Sequence, residues 1–316
     1  MAKRQTIRLG TRGSLLARSQ SGMIADDLRR LHADLNVELV LIKTSGDQFS
    51  DRPLSEAGGK GLFTKELELA LLAGQIDMAV HSLKDVPVTM PLVPTTDLII
   101  AAVPIRQDPR DVLASPKYRS LGELPSGARI GTGSTRRRCQ LLHAYPGMFV
   151  QPLRGNVDTR LEKARSASLD GVILAMAGLV RCGKFDAAWM TPLPLDSMLP
   201  AAGQGALALQ CRTADTGVRE LLAPLDDPKT HEAVLAERGV VQSLNGDCHS
   251  PIAALATISG NDLTLHAAVG WRDGNPPVIR ASAAGHQSDS ARIVQAVCDQ
   301  LKKQGAEQLL AGSTTH

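Results

Sequence analysis

Three sets of residues in this 316-residue chain carry more charge or reactivity than a folded core needs. The first is a series of arginines where strand-like runs give way to helix-like ones: Arg12 ahead of Ser14, then Arg136, Arg137 and Arg138 after Gly131-Thr132-Gly133-Ser134, then Arg154 with Gly155-Asn156 ahead of Arg160. Free N–H groups and the positive dipole end favour anions at a helix start, and guanidinium forks add two-pronged partners for carboxylate or phosphate. Such a set points to a polyanionic ligand, although an arginine run can equally be a solvated helix face. The second is His81-Ser82-Leu83-Lys84-Asp85-Val86-Pro87, at the end of an apolar strand, where Asp85 could act as an acid or base or be one half of a surface pair with Lys84. The third is Cys248, in the turn-rich run Asn245-Gly246-Asp247-Cys248-His249-Ser250-Pro251, where a thiol would be partly exposed and open to covalent chemistry.

Familiar phosphate motifs fail on inspection. Gly58-Gly59-Lys60-Gly61 has Gly61 where a phosphate loop needs Ser or Thr for magnesium, and Arg136 stands where a dinucleotide turn needs its third glycine. The glycines around Lys60 read instead as a mobile loop, or as an ordinary connection. Five cysteines, odd in number and without a C-x-x-C pair, indicate neither a disulfide framework nor a structural zinc site, and no metal is expected. Cys139, Cys182, Cys211 and Cys298 fall in apolar or helical contexts and read as inert.

The elements that must hold these groups alternate. Thr6 to Thr11, Val37 to Thr44 and Asp77 to Leu83 read as strands, with helices over Ser14 to Leu35 and Gly61 to Ala73 between them. Ser14 is a natural N-cap, and Leu15, Leu16, Ser19, Met23, Leu28 and Leu31 approximate the apolar face of the first helix. The pattern repeats: strand Arg129 to Thr132, helix from Ser134, strand Met148 to Leu153, helix Val157 to Ala167, strand Gly171 to Ala175. Val103 to Pro109 and Thr191 to Gly205, rich in proline, read as hinges or linkers, and Ala206 to Cys211 as a strand that rejoins the first sheet. A helix from Pro228 towards Leu244, strands Leu263 to Val269 and Val278 to Ala281, and a helix from Ser290 to Lys303 make a separate α+β part.

Composition removes whole classes. At 43% hydrophobic and 21% charged the chain is globular, and its longest uncharged apolar runs are far below the roughly 20 residues of a membrane helix. A net charge of +3 with 3% aromatics argues against nucleic acid as the partner. The start Met1-Ala2-Lys3-Arg4 has no apolar segment behind it, so cytoplasmic residence is expected, with no membrane partner, and with no heptad or long apolar edge to call for assembly a monomer is expected.

The chain resembles the porphobilinogen deaminases, also called hydroxymethylbilane synthases, over nearly its whole length. The likeness rests on Gly10-Thr11-Arg12-Gly13-Ser14-Leu15-Leu16-Ala17, Gly58-Gly59-Lys60-Gly61-Leu62-Phe63-Thr64-Lys65-Glu66-Leu67-Glu68, His81 to Pro87 as above, Leu153-Arg154-Gly155-Asn156-Val157 and Pro200-Ala201-Ala202-Gly203-Gln204-Gly205-Ala206, in that order. It implies an α/β fold of two periplasmic-binding-protein-like (type II) domains and a C-terminal α+β domain that carries the cofactor cysteine. With the linkers above, the divisions fall at 1–103 with 200–223, at 104–199 and at 224–316.

The resemblance also implies that Cys248 holds a dipyrromethane through a thioether. Four porphobilinogen units are then added with loss of ammonia and released as hydroxymethylbilane, a step of tetrapyrrole and haem synthesis. Each unit brings an acetate and a propionate, which is a use for the arginines. Arg12, Ser14, Lys84, Ser134, Arg136, Arg137, Arg154, Gly155 and Arg160 are implied as cofactor and carboxylate binders, with Thr132, Asn156, Arg181 and Gln204 nearby. Asp85 is implied as the catalytic carboxylate, facing pyrrole N–H groups as a cationic azafulvene forms, and Lys60 and Phe63 as parts of a loop that closes over the cleft.

Four positions depart from the family pattern. Asp247 replaces a glycine beside the cofactor cysteine, where its charge would disfavour a thiolate and a protonated His249 would offset it. Glu56 stands in place of a lysine, Gly133 of a serine and Asp158 of a glycine, the last near the expected anion site but also at a helix start that welcomes it. A non-catalytic carboxylate or phosphate receptor, and a regulatory module using Arg136 to Arg138, are the competing readings.

Overall fold

The computed structural model describes residues 6–44, 64–88, 97–166, 168–247 and 249–312. Lys60, Phe63 and Glu56, and Cys248 itself, lie outside them. The described chain divides into two compact units, one of residues 1–107 and 206–231, the other of 108–205 and 232–316. It passes from one to the other inside the first proline-rich segment read as a linker, at the end of the second, and a third time within the helix that starts at Pro228.

The first unit is a mixed sheet of five strands. β1 (Thr6–Thr11), β2 (Asn36–Leu41) and β3 (Met78–Ser82) run parallel, and β10 (Leu207–Arg212) enters antiparallel between β3 and β4 (Leu98–Ala102), giving the order β2-β1-β3-β10-β4. Helix α1 (Leu15–Leu31) starts where Ser14 Oγ accepts the Ala17 N–H at 3.3 Å. Its buried face is Gln20, Ser21, Ile24, Ala25 and Leu28, while Leu15, Met23 and Leu31 are more than two-fifths exposed. The apolar face expected from Leu15, Met23 and Leu31 is therefore corrected by rotation about the helix axis. Gln20 faces inward because its amide exchanges hydrogen bonds with Ser82 Oγ at the end of β3 (2.8 and 3.2 Å), so its burial costs no unpaired polar group. Ile7, Leu9, Ile24, Leu28, Val80 and Leu209 are among the core residues between helix and sheet. Helix α2 (Lys65–Leu72) buries Leu67 and Leu71 in a second cluster with Ile76 and Leu98.

The second unit holds two sheets. β5 (Asp111–Ala114), β6 (Arg129–Gly131), β7 (Phe149–Gln151), β8 (Gly171–Ala175) and β9 (Met190–Pro192) form the order β7-β6-β8-β5-β9, with β6 parallel to β7 and β8, and β5 antiparallel to β8 and β9. This matches the first sheet strand for strand: three parallel strands, an antiparallel one in fourth place, an edge. Helices α3 (Thr135–Ala144), α4 (Val157–Arg165) and α5 (Met176–Arg181) follow β6, β7 and β8. β11 (Ile252–Ser259), β12 (Asp262–Val269) and β13 (Ile279–His286) make an antiparallel meander backed by α8 (Ser290–Lys303), which buries Ile293, Val297 and Leu301. Helix α6 (Thr216–Leu222) lies in the first unit, α7 (Pro228–Ser243) spans the third crossing, and α9 (Ala306–Ala311) closes the second unit. The architecture is α/β, with two such sheets and an α+β C-terminal part.

Neither linker is loose chain. Val103 is buried, its N–H donates to Asp226 Oδ1 at 2.7 Å and its carbonyl accepts from Asp227 N at 2.9 Å. Thr191 belongs to β9. β4, β5, β9, β11 and helices α5, α6 and α9 go beyond the elements expected from sequence.

Candidate anion and catalytic site

Parallel neighbours end on the same side of a sheet, so their βα turns lie side by side. In the first unit β1 and β3 pair through Leu9–Met78 and Gly10–Ala79, which sets Arg12 and Ser14 beside Lys84 and Asp85 at one end of the sheet. The chain leaves β3 through a single 3₁₀ turn, Leu83–Asp85, fixed by Leu83 N–H to Ala206 O at 3.0 Å and Val86 N–H to Leu83 O at 3.1 Å. Asp85 is exposed, and its carboxylate accepts no hydrogen bond from any described residue. Arg12 and Lys84 are half-buried.

Beneath Asp85 sits a buried polar chain that the sequence reading did not single out. His81 Nε2 meets Gln210 Oε1 at 2.9 Å, and Gln210 Nε2 donates to Glu68 Oε1 at 3.0 Å, linking β3, β10 and α2. Burial pushes the His81 imidazole down to about 4, against the opposing hydrogen bond and with help from the charge of Arg12. His81 is therefore neutral at neutral pH.

In the second unit the turns after β6, β7 and β8 carry the remaining candidates. Thr132 N–H donates to Gln151 O at 3.0 Å, Ser134 N–H to Thr132 Oγ1 at 3.3 Å, and Ser134 Oγ caps α3 by accepting from Arg137 N at 3.4 Å. Gly133 has no room for the serine common at that position: a Cβ there would lie 2.7 Å from the carbonyl oxygen of Leu153. Gly155 takes a φ of +107°, the left-handed region, between Arg154 and the cap position Asn156. Its carbonyl accepts from Arg160 Nε at 2.7 Å. Asp158, the other departure near this turn, is paired with Lys184 at 3.1 Å.

Arg136 and Arg137 are placed differently from a solvated helix face. Each is buried, with 4% and 5% of its surface exposed, and both are ion-paired to the fully buried Asp111. Arg138 instead reaches Val150 O at 3.0 Å and Asn275 Oδ1 at 3.1 Å, so the run of three splits two to one. Gln204, also buried, donates to Pro109 O at 2.7 Å and Asp111 Oδ1 at 2.9 Å. Arg181 gives one N–H to Gly205 O at 2.8 Å while its Nε is buried without a partner, and desolvation lowers the guanidinium to about 10.

The residues on either side of Cys248 bond to one another. Asp247 Oδ1 accepts from His249 N at 3.0 Å and Ser250 Oγ at 2.8 Å, Ser250 Oγ accepts from Asp247 N at 2.9 Å, and Arg272 stands 3.5 Å from Oδ2. These contacts hold the Asp247 carboxyl below its ordinary range despite partial burial. The carboxylate thus shapes the loop, and Arg272, together with His249, offsets its charge. Thr135 Oγ1 donates to His249 O at 2.6 Å, tying that turn to the start of α3. Of the other cysteines, Cys139, Cys211 and Cys298 are buried, and desolvation pushes the first two thiols up to about 11, which makes them poor nucleophiles. Cys182 is half-buried.

What the arrangement offers is one exposed, uncommitted carboxylate on the first sheet's end and a set of anchored guanidinium groups on the second's. Two family profiles match the chain: "Porphobilinogen deaminase, dipyromethane cofactor binding domain" over residues 7–220, and "Porphobilinogen deaminase, C-terminal domain" over 231–303. The porphobilinogen deaminase of Roseiflexus sp. (strain RS-1) is 44% identical over 98% of this chain and 100% of its own length, and that of Syntrophotalea carbinolica is 45% identical over 96% and 95%. Among solved structures, the methionine binding protein MetQ is 12% identical with a TM-score of 0.42, over 74% of this chain and 95% of its own.

Proposed function

We propose a division of labour among the residues from one premise: the chain belongs to the porphobilinogen deaminase family. Its reaction is the stepwise deaminating polymerisation of porphobilinogen onto a dipyrromethane cofactor, yielding hydroxymethylbilane for tetrapyrrole synthesis. The residues present suit a group bearing several carboxylates. The Arg181 Nε is a buried donor that lacks an acceptor, and the net charge around Asp111 is positive, one carboxylate against two guanidiniums. In water-poor surroundings such donors gain most from an anionic partner.

Cys248 is the attachment point, and the bound dipyrromethane supplies the free α carbon at which the chain grows. Arg12, Ser14, Lys84, Thr132, Ser134, Arg136, Arg137, Arg154, Gly155, Asn156, Arg160, Arg181 and Gln204 hold acetate and propionate groups or frame the turns that do. Lys60 and Phe63 belong to the substrate loop. The observation that carries the catalytic assignment is Asp85: its backbone is pinned by the turn after β3, while its carboxylate is exposed and unspent. Fixed in place, it accepts pyrrole N–H groups and offsets the cation left when ammonia departs from porphobilinogen, without reorganising. The chain works as a cytoplasmic monomer, with neither nucleic acid nor membrane as partner; among the described residues no helix is long and apolar enough to cross a membrane.

The test is the intact mass of the denatured protein beside a Cys248→Ala variant, with Ehrlich's reagent reporting pyrroles. A gain of two linked pyrrole units in the wild type alone, or its appearance on incubation with porphobilinogen, is the expected result. A wild type that never gains mass under either condition refutes the reading and leaves a carboxylate receptor.

A further inference from the structure

The reaction does not itself call for a fully buried acid in the second unit, yet Asp111 is one. It opens β5, directly after the first crossing between units, and both its oxygens accept hydrogen bonds. Oδ2 accepts from Arg136 Nη1 at 2.8 Å. Oδ1 accepts from Arg137 Nε at 3.1 Å, Arg137 Nη2 at 2.7 Å and Gln204 Nε2 at 2.9 Å. The remaining bonds are equally specific. Arg136 Nη1 also reaches Leu199 O, Arg137 Nη1 reaches Ile173 O at 2.9 Å, and Gln140 brackets Leu199 through its N–H and carbonyl at 2.9 and 3.0 Å. Arg137 is thus held along both edges of its guanidinium. Arg136 is held by Nη1 alone, and its Nε and Nη2 take no partner among the described residues.

We propose that Asp111 is a positioning residue for cofactor capture: it clamps Arg136, Arg137 and Gln204 into one array and so presents the unspent edge of Arg136 to a carboxylate of the pyrrole chain. This rests on the family reading above, and it assigns a role to a residue that never touches the ligand. Two features separate positioning from bulk charge. The clamp spends one of the two positive charges, which lowers the local potential for an anion; a site built for attraction alone would leave Asp111 out. What the clamp supplies is a fixed fork with free N–H groups on one side, and two-pronged recognition of a carboxylate depends on that geometry.

The two accounts predict opposite signs for Asp111→Asn. The amide keeps the shape but removes the charge that holds Arg136, while raising the net positive charge of the cluster. Purified full-length apo-protein is incubated with a series of porphobilinogen concentrations and the gain of pyrrole mass is followed with time, alongside thermal melting. Positioning predicts that D111N needs about tenfold more porphobilinogen for half-maximal mass gain, the cost of one misplaced charge-assisted hydrogen bond. A purely structural role lowers the melting temperature and leaves half-saturation where it was; a charge-only role lowers half-saturation. Either result overturns the proposal. Should D111N fail to fold, Gln204→Met removes one donor from the same carboxylate oxygen and leaves both ion pairs. It must raise half-saturation by about two- to threefold, a share of one hydrogen bond, and an unchanged value overturns the proposal. If D111N keeps the half-saturation of a wild type that assembles its cofactor, the family reading stands and this inference falls; a wild type that gains no mass overturns both.

Discussion

Mild acid should loosen the first unit through a single side chain. His81 is fully buried and titrates near 4, whereas in an unfolded chain it would titrate near 6.5. Between those values the unfolded chain binds a proton that the folded one refuses, so stability falls as pH drops from 6.5 towards 4, and the loss is complete below the folded value. From pH 7 to pH 5 the two pKa values give a loss of about 1.8 kcal/mol, or roughly a twentyfold larger opening constant. Both tryptophans, Trp189 and Trp271, lie in the second unit, so intrinsic fluorescence would not see this change. Amide hydrogen exchange read on peptides covering β3 and the turn to Asp85 does, once intrinsic rates are corrected for pH. His81→Gln keeps a donor within reach of Gln210 and abolishes the titration, so its protection over the same interval should stay flat relative to wild type. Identical slopes in the two proteins would refute the assignment of a buried neutral imidazole next to the turn that carries Asp85.

Two further outcomes follow from the geometry. Asp85→Asn should leave the fold intact and lower turnover at least about 100-fold, since an amide neither offsets the substrate cation nor takes up protons; steady-state formation of hydroxymethylbilane measures it, and normal turnover would end the role given to that carboxylate. Gly133→Ala should cost about 1–3 kcal/mol in chemical denaturation, because the new Cβ meets a backbone oxygen at 2.7 Å that no rotamer change can move.

Strand and helix starts were legible where local chemistry announces them. Ser14 and Ser134 cap α1 and α3 as their types suggest, Pro228 opens α7, and the runs Gly171–Ala175 and Ser290–Lys303 coincide with β8 and α8. β5 was hidden because it begins with the charged Asp111 straight after Asp108-Pro109-Arg110, a sequence whose local character is that of a linker. Only tertiary contact with two arginines makes a carboxylate tolerable at that depth. The same cause hides the split within Arg136 to Arg138: three identical side chains in succession point in different directions from a helix, and their partners come from β5, β7, β8 and the loop around Asn275. The apolar face of α1 was misjudged for a related reason, since Gln20 is turned inward by Ser82, 62 residues away. Asp85, Arg12 and the arginine turns could be named as candidates because strand ends in an open sheet are where ligands bind, and the structure places them at such ends.

The place of β10 in the first sheet has a bearing on how the protein is made. β3 and β4 are not neighbours; the strand between them is encoded after the entire second sheet. A ribosome that has finished β4 at Ala102 must still add 110 residues before Arg212 completes the gap, which at ordinary elongation speeds takes roughly 5–20 s. Through that interval the nascent first lobe carries an open seam along β3, the strand that leads into Lys84 and Asp85, and Gln210 is not yet available to His81. The second sheet has no such wait, because its antiparallel strand β5 is synthesised first. Translation order therefore lets the sheet that bears the arginine turns be completed, at Pro192, before the sheet that bears Asp85, at Arg212.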